Sequence, residues 1–199
     1  MKIIGLLGGV AAGKSQVARL FQQLGAEVLD ADTVGHEVLR MPSVRDAVRQ
    51  HFGSGVFGPD GHVNRPALGR IVFGRQANAP QELSLLESLT HPHIRRELRQ
   101  QAERMLADGV PVVILDAPVL LKAGWDELCD ALVFVDCPED VRRARAVARG
   151  WTADDFAARE AAQASIETKR ALADFVVDNS ASLGYTQGQI EKIWQTLVG

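Results

Sequence analysis

Eight consecutive residues, Gly8-Gly9-Val10-Ala11-Ala12-Gly13-Lys14-Ser15, fit the spacing G-x-x-x-x-G-K-[ST]. The chemistry of that spacing is anion binding. Small residues let successive backbone N–H groups curl around a polyphosphate, and a helix opening at Lys14 adds the positive end of its dipole. Lys14 neutralises the outer phosphates, and the Ser15 hydroxyl can ligate Mg²⁺. A nucleoside triphosphate and Mg²⁺ are therefore the implied cofactors. Ligand contacts are expected from Gly9, Val10, Ala11, Ala12, Gly13, Lys14, Ser15 and Gln16. Kinases, switch GTPases and motor ATPases all use such a loop. The guanine-reading N-K-x-D pattern is absent, since Thr168-Lys169-Arg170-Ala171 lacks both the Asn and the Asp. Motor ATPases need a longer core than this chain has, so a small kinase is favoured.

Other groups could complete the chemistry. Asp30-Ala31-Asp32 follows a short apolar run, and Asp32 either orients and deprotonates an acceptor hydroxyl or caps the helix carrying Val34, Val38 and Leu39. Asp116 ends the apolar run Val112 to Leu115 and reads equally as an outer partner of Mg²⁺ or as a turn cap before Pro118. Arg142, Arg143, Arg145 and Arg149 stud one predicted helix, with Arg142, Arg145 and Arg149 on one face. Guanidinium forks suit the spread charge of a migrating phosphoryl group, and a solvated basic face is the alternative. In Thr90-His91-Pro92-His93-Ile94, the proline is expected to interrupt a long helical pattern and place a histidine at a kink.

Strand-length apolar runs alternate with helical stretches, which is the pattern of an α/β fold with a parallel sheet. Five strands are expected, at Lys2–Leu7, Ala26–Leu29, Pro111–Leu115, Ala131–Val135 and Asp174–Val177. A helix should follow Gly13, with Val17, Leu20, Phe21 and Leu24 on its buried face and Gly25 as its stop. About eighty residues separate the second and third strands, too many for a plain crossover, so a helical insertion is expected there. Within it, Gly53 to Gly61 is dense in turn formers and reads as a linker. Thr152 and Asp155 have the spacing of a capping box that starts a later helix.

The 199 residues, 46% of them hydrophobic, suffice for one domain with insertions. A net charge of −3, from 22 basic and 25 acidic residues, lacks the broad positive field of a nucleic-acid or anionic-membrane binder. No nucleic acid and no membrane partner are expected. Cys129 and Cys137 are too few for a disulfide framework, and no apolar run reaches spanning length, so a cytoplasmic protein is expected.

Several ordered pieces together resemble the dephospho-CoA kinase family. They are Gly5-Leu6-Leu7-Gly8-Gly9 with Gly13-Lys14-Ser15, Asp30-Ala31-Asp32, Phe52-Gly53, Asp60-Gly61, Asn64-Arg65, Val72-Phe73 and His91-Pro92. Pro118, Arg145, Arg149, Gln163 and Ala173 to Asn179 continue the series, so the likeness covers nearly the whole chain. The resemblance implies transfer of the ATP γ-phosphoryl group to the ribose 3′-hydroxyl of dephospho-CoA; the alternatives are another small-nucleotide or nucleoside P-loop kinase and a nucleotide-binding regulatory protein that has lost catalysis, and a monomer is expected. It also implies a P-loop kinase core at about 1–32, 109–137 and 172–199, a substrate-binding insertion at about 33–108 and a lid at about 138–171. Carried over by position, Asp32 is the acceptor-activating base and, with Arg65, His91 and Pro118, faces the substrate. Lys14, Arg145 and Arg149 are catalytic, Arg145 and Asn179 lie at the nucleotide, and Ser15 holds the metal.

This chain departs from the family pattern at identifiable points. Ala11, Ala12 and Gln16 replace the inner Gly, the Ser and the final Thr of the usual loop, and Lys122 stands where a glutamate is usual. If position 11 requires a positive φ, alanine costs about 1 kcal/mol there.

Overall fold

The computed structural model describes residues 2–74 and 76–198. β1 (Lys2–Gly8), β2 (Glu27–Asp30), β3 (Val112–Asp116), β4 (Ala131–Asp136) and β5 (Phe175–Asp178) form one parallel sheet, ordered β2-β3-β1-β4-β5. The expected α/β class is therefore found. Each strand runs one residue further than its apolar run, into Gly8, Asp30, Asp116, Asp136 or Asp178. The polar residue that ends the hydrophobic signal is still paired in the ladder, with Asp30 level with Asp116 and Asp136 level with Asp178. Helices shield the middle of the sheet, so strand interiors such as Ile4, Ile114 and Val133 are buried without alternation.

β1 is central, between β3 and β4, and the loop that leaves it lies where the strand order reverses. Ligands of open α/β sheets bind at that carboxyl-edge crevice. From the loop rises α1 (Lys14–Gln23), which buries Val17, Ala18, Leu20 and Phe21. Gly25 stops it with φ 105°, as Gly25 and Ala26 donate their N–H groups to the Gln22 and Phe21 carbonyls.

Residues 31–100 form one compact unit, and the chain up to Asp30 together with the chain from Gln101 forms the other. The 31–100 unit contains α2 (Ala31–Val38), α3 (Pro42–Phe52), α4 (Arg65–Val72) and most of α5 (Ala79–Ala107). Two expectations fail here. Gly53 to Gly61 is no linker: Ser54–Val56 is a 3₁₀ turn, and Phe57 bridges Val63 around a tip where Asp60 accepts the His62 N–H at 3.0 Å. The local turn residues serve a small hairpin inside the unit. Nor does Pro92 interrupt its helix. Pro92 sits on the exposed side of α5, while Thr90, Ile94 and Leu98 on the other side are buried. Burial on one side holds the helix through a residue that withholds one N–H. Nearby, the hydroxyls of Ser88 and Thr90 donate to the Leu85 and Leu86 carbonyls.

The other unit closes with α6 (Glu139–Ala148), α7 (Ala153–Ala161), α8 (Ile166–Ala171) and α9 (Leu183–Val198). The capping box at the start of α7 forms as its spacing predicts. Its two bonds from Thr152 hold the Asp155 carboxyl below the usual carboxylate range. Cys129 and Cys137 are free, and burial pushes the Cys129 thiol up to about 12. Among the described residues no helix is long and apolar enough to cross a membrane.

Candidate active site

The loop between β1 and α1 is shaped by its own backbone first. The Ala12 N–H donates to the Gly9 carbonyl at 3.2 Å, and the Gly13 carbonyl accepts from Gln16 and Val17 as the first turn of α1. Two residues take left-handed backbone: Gly13 at φ 101° and Ala11 at φ 59°. Alanine at 11 thus carries the backbone cost that its sequence position raised, since its Cβ crowds the adjoining carbonyl in that region.

Behind the loop stands a row of cations. Lys169 Nζ donates to the Gly8 carbonyl at 3.2 Å and to Gln163 Oε1 at 2.7 Å. Arg142 Nη1 donates to the Val10 carbonyl at 3.3 Å and pairs with Glu160, and its Nε donates to the Cys137 carbonyl at 3.2 Å. The Ala12 carbonyl accepts from Arg145 Nη1 at 3.1 Å and from Asn179 Nδ2 at 2.8 Å. Arg145 Nη2 in turn donates to the Asn179 carbonyl at 2.9 Å, and Thr186 Oγ1 lies 3.2 Å from Asn179 Oδ1. Carbonyls 8, 10 and 12 are therefore all held from one side. A trans peptide sets its N–H opposite its carbonyl, so the same bonds turn the N–H groups of Gly9, Ala11 and Gly13 the other way.

The glycines acquire a second reason. A Cβ at Gly9 would come within 2.6 Å of Arg142 Nη1, and one at Gly13 within 2.2 Å of Asn179 Nδ2. Sequence reasoning reserved that space for phosphate. At these two positions the protein's own side chains fill it.

The four arginines divide by burial. Arg142 is 5% exposed, Arg145 half-buried, and Arg143 and Arg149 exposed. Arg142 lies over the Phe156 ring at 5.4 Å, in a small cluster where Phe156 packs with Val10 and Ala146. Arg149 ends α6 and, with Arg145, borders a cleft of about 450 Å³ whose other wall holds Gly13, Ser15 and Gln16. Ser15 is exposed and Lys14 half-buried. Pro118 and Lys122 line a cavity of about 20 Å³ with Lys14, Gln163 and Lys169. That volume admits one water molecule.

Desolvation first, then the nearby Lys14 and Arg142 charges, brings the Lys169 ammonium down from 10.5 to about 8, with Glu160 opposing. Sequence reasoning missed Lys169. Its single signal was its place in a helix capped by Ser165, which says nothing about the loop. Asp178, at the end of β5, is held below the usual carboxylate range by the Ser180 hydroxyl and N–H.

In the 31–100 unit, Asp32 is exposed in the first turn of α2, where a carboxylate suits the helix dipole. Arg65 opens α4 behind the Asn64 cap, with its Nη1 3.4 Å from His36 Nδ1. His91 is half-buried in the middle of α5.

The donor set suits a magnesium–nucleotide rather than a protein-caged metal. Among the described residues no three His, Cys, Asp or Glu side chains are grouped to hold an ion. Mg²⁺ takes one or two protein oxygens and completes its shell with water and substrate phosphates. The exposed Ser15 hydroxyl, in the first turn of α1, is an oxygen that could serve in such a shell.

Comparison with known proteins follows the same line. A sequence model of the dephospho-CoA kinase family matches residues 2–184. The dephospho-CoA kinase of Symbiobacterium thermophilum is 40% identical over 202 aligned positions, covering 100% of this chain and 82% of that protein. The crystal structure of TT1252 from Thermus thermophilus superposes with a TM-score of 0.83 at 32% identity, covering 99% of this chain and 98% of that one. A dephospho-CoA kinase from Campylobacter jejuni shares the fold, with a TM-score of 0.66 at 20% identity and coverage of 98% and 97%. With a loop built for polyphosphate and a family match over almost its whole length, the chain belongs to the dephospho-CoA kinase family.

Proposed function

We propose that this protein transfers the γ-phosphoryl group of ATP to the ribose 3′-hydroxyl of dephospho-CoA, giving coenzyme A and ADP. The observation that carries the reading is the family match over residues 2–184, joined to a phosphate loop held in place by its own unit. Asp32 takes the proton of the acceptor hydroxyl. That oxygen then forms its bond to the γ-phosphorus as the bond to the β–γ bridging oxygen breaks, and ADP leaves with the bridging electron pair. Lys14 neutralises the outer phosphates as charge moves onto the leaving oxygen. The N–H groups of Gly9, Ala11 and Gly13, with those of Val10, Lys14 and Ser15 nearby, form the cradle, while the Ala12 and Gln16 N–H groups brace it through the Gly9 and Gly13 carbonyls. Ser15 would hold Mg²⁺, which when bound would supply positive charge against that of the phosphates.

Arg149 reaches the phosphates from the cleft, while Arg145 acts on the nucleotide both there and through the Ala12 carbonyl. Asn179 acts through that same carbonyl, because its amide is already engaged with Ala12 and Thr186. Arg65, His91 and Pro118 bind the acceptor. The segment 138–171 is read as the lid and the 31–100 unit as the acceptor-binding insertion. A cytoplasmic monomer with no nucleic-acid or membrane partner goes with this reading and is in keeping with the nearly balanced charge.

The test is ADP release with and without dephospho-CoA. Release should depend on the acceptor, and Asp32→Asn should lower turnover about a thousandfold while both substrates still bind. Turnover indifferent to dephospho-CoA breaks the reading. A turnover kept in Asp32→Asn returns that residue to a capping role.

A further inference from the structure

We infer that Lys169 is a positioning residue of the nucleotide site, a charged strut that sets the first peptide of the phosphate loop and makes nucleotide affinity depend on its own protonation. The inference rests on the kinase reading of the loop but not on the identity of the acceptor.

Lys169 is 4% exposed, which is costly for an ammonium unless its three donors are used. Two are: one reaches the Gly8 carbonyl at 3.2 Å and one the Gln163 side chain at 2.7 Å. Gly8 is both the last residue of β1 and the first of the loop, so the bonded carbonyl belongs to the peptide where strand becomes loop. The opposite face of that peptide carries the Gly9 N–H. Holding the carbonyl therefore aims a donor at the anion side before any ligand arrives, which is the saving that preorganisation gives. Arg142 and Arg145 do the same at the Val10 and Ala12 carbonyls, but a guanidinium keeps its charge at all accessible pH. Of the side chains that hold carbonyls 8, 10 and 12, only Lys169 can lose a proton near neutrality.

The groups facing it are named by the packing. Lys14 comes from α1, Arg142 from α6, Glu160 from α7, and Lys122 from the segment after β3, which lines the same small cavity. Two of the cations, Lys14 and Arg142, join desolvation in favouring the neutral amine, and Glu160 opposes them. The ammonium is thus the majority form below about 8 and the amine above it. The sign follows: as pH rises past that point the strut weakens, the Gly8 peptide loses its fixed orientation, and nucleotide affinity falls. Because the loop grips ground state and transition state alike, the loss appears in affinity more than in turnover.

The experiment measures binding of a non-hydrolysable ATP analogue with Mg²⁺ from pH 6.5 to 9.5, in the wild type, Lys169→Arg and Lys169→Met, alongside KM for ATP and kcat. The wild type should lose about fivefold or more in affinity between pH 7 and 9.5. Lys169→Arg should keep pH 7 affinity within about threefold and show a flat alkaline limb. Lys169→Met should bind about tenfold more weakly at pH 7, with kcat changed less than about threefold. A wild-type affinity that is flat across the range, an alkaline limb retained in Lys169→Arg, or wild-type affinity in a folded Lys169→Met would each overturn the inference. Should Lys169→Met fail to fold, the wild-type and Lys169→Arg profiles decide alone. A protein that shows these profiles yet transfers nothing to dephospho-CoA refutes the acceptor assignment and leaves Lys169 in its role.

Discussion

The two sides of the phosphate loop are built on different principles. On the carbonyl side, Lys169, Arg142, Arg145 and Asn179 come from three separate segments and are largely buried and bonded at fixed distances. On the more exposed side stand Lys14, Ser15 and Arg149; Ser15 and Arg149 border the open cleft, and Lys14 lines the small cavity that Lys169 also lines. Lys169 and Arg142 spend their charges on the loop itself, while Arg145 both holds the Ala12 carbonyl and borders the cleft. The lesson is that a cluster of cations near a phosphate site is not a count of phosphate contacts. Two neighbouring arginines on α6, Arg142 and Arg143, both lie over the Phe156 ring, yet only the buried Arg142 also holds a loop carbonyl, while Arg143 pairs with Glu139 in solvent.

That contrast can be broken in three places. On the open side, Lys14→Ala should lower turnover about a thousandfold, roughly 4 kcal/mol in the barrier, with a smaller loss in nucleotide affinity. A steady-state rate near wild type in a folded variant would remove Lys14 from the chemistry. Behind the loop, Arg142→Ala should cost about 2 kcal/mol of stability, because it strands Glu160 and the Val10 carbonyl; the discount from a fully buried pair reflects the partial exposure of Glu160. Its control is Arg143→Ala, which loses an exposed pair with Glu139 on the same helix and the contact of an exposed guanidinium with the Phe156 ring at 4.8 Å, and should cost less than about 1 kcal/mol. Equal losses in urea unfolding would erase the distinction between the two sides of α6. The smallest effect belongs to Ala11→Gly. Relief of the left-handed alanine should exceed the added freedom of the unfolded chain and raise stability by about 0.5 kcal/mol. A lower melting temperature would mean that the Ala11 methyl, packed beside the Val10 and Phe156 cluster, contributes more than its backbone costs.

How much of this was legible follows from distance along the chain. The loop motif, the strands and the capping box are local, and each is written within ten residues or fewer. The strand ends were misjudged by one residue because an aspartate or glycine ends the apolar signal without ending the ladder. Pro92 misled because local sequence shows the withheld donor but not the buried face that holds α5 together. The arginines were legible as a group, and their division was not, since nothing in the spacing distinguishes a guanidinium that meets a carbonyl from one that meets water. Lys169 was invisible for the same reason, its partner lying 161 residues earlier.

Those long separations bear on the order in which the chain is made. The bonds to the Val10, Ala12 and Gly8 carbonyls span 132, 133, 161 and 167 residues. Synthesis proceeds from the N-terminus at about 5–20 residues per second, so the motif leaves the ribosome several seconds or more before its struts exist. Until Asn179 has emerged and packed, the eight residues of the motif are a glycine-rich segment with the right letters and no fixed shape. A nascent chain halted before Cys137 carries the whole signature and none of the side chains that orient it. Competence to grip a nucleotide is therefore among the last properties this chain acquires.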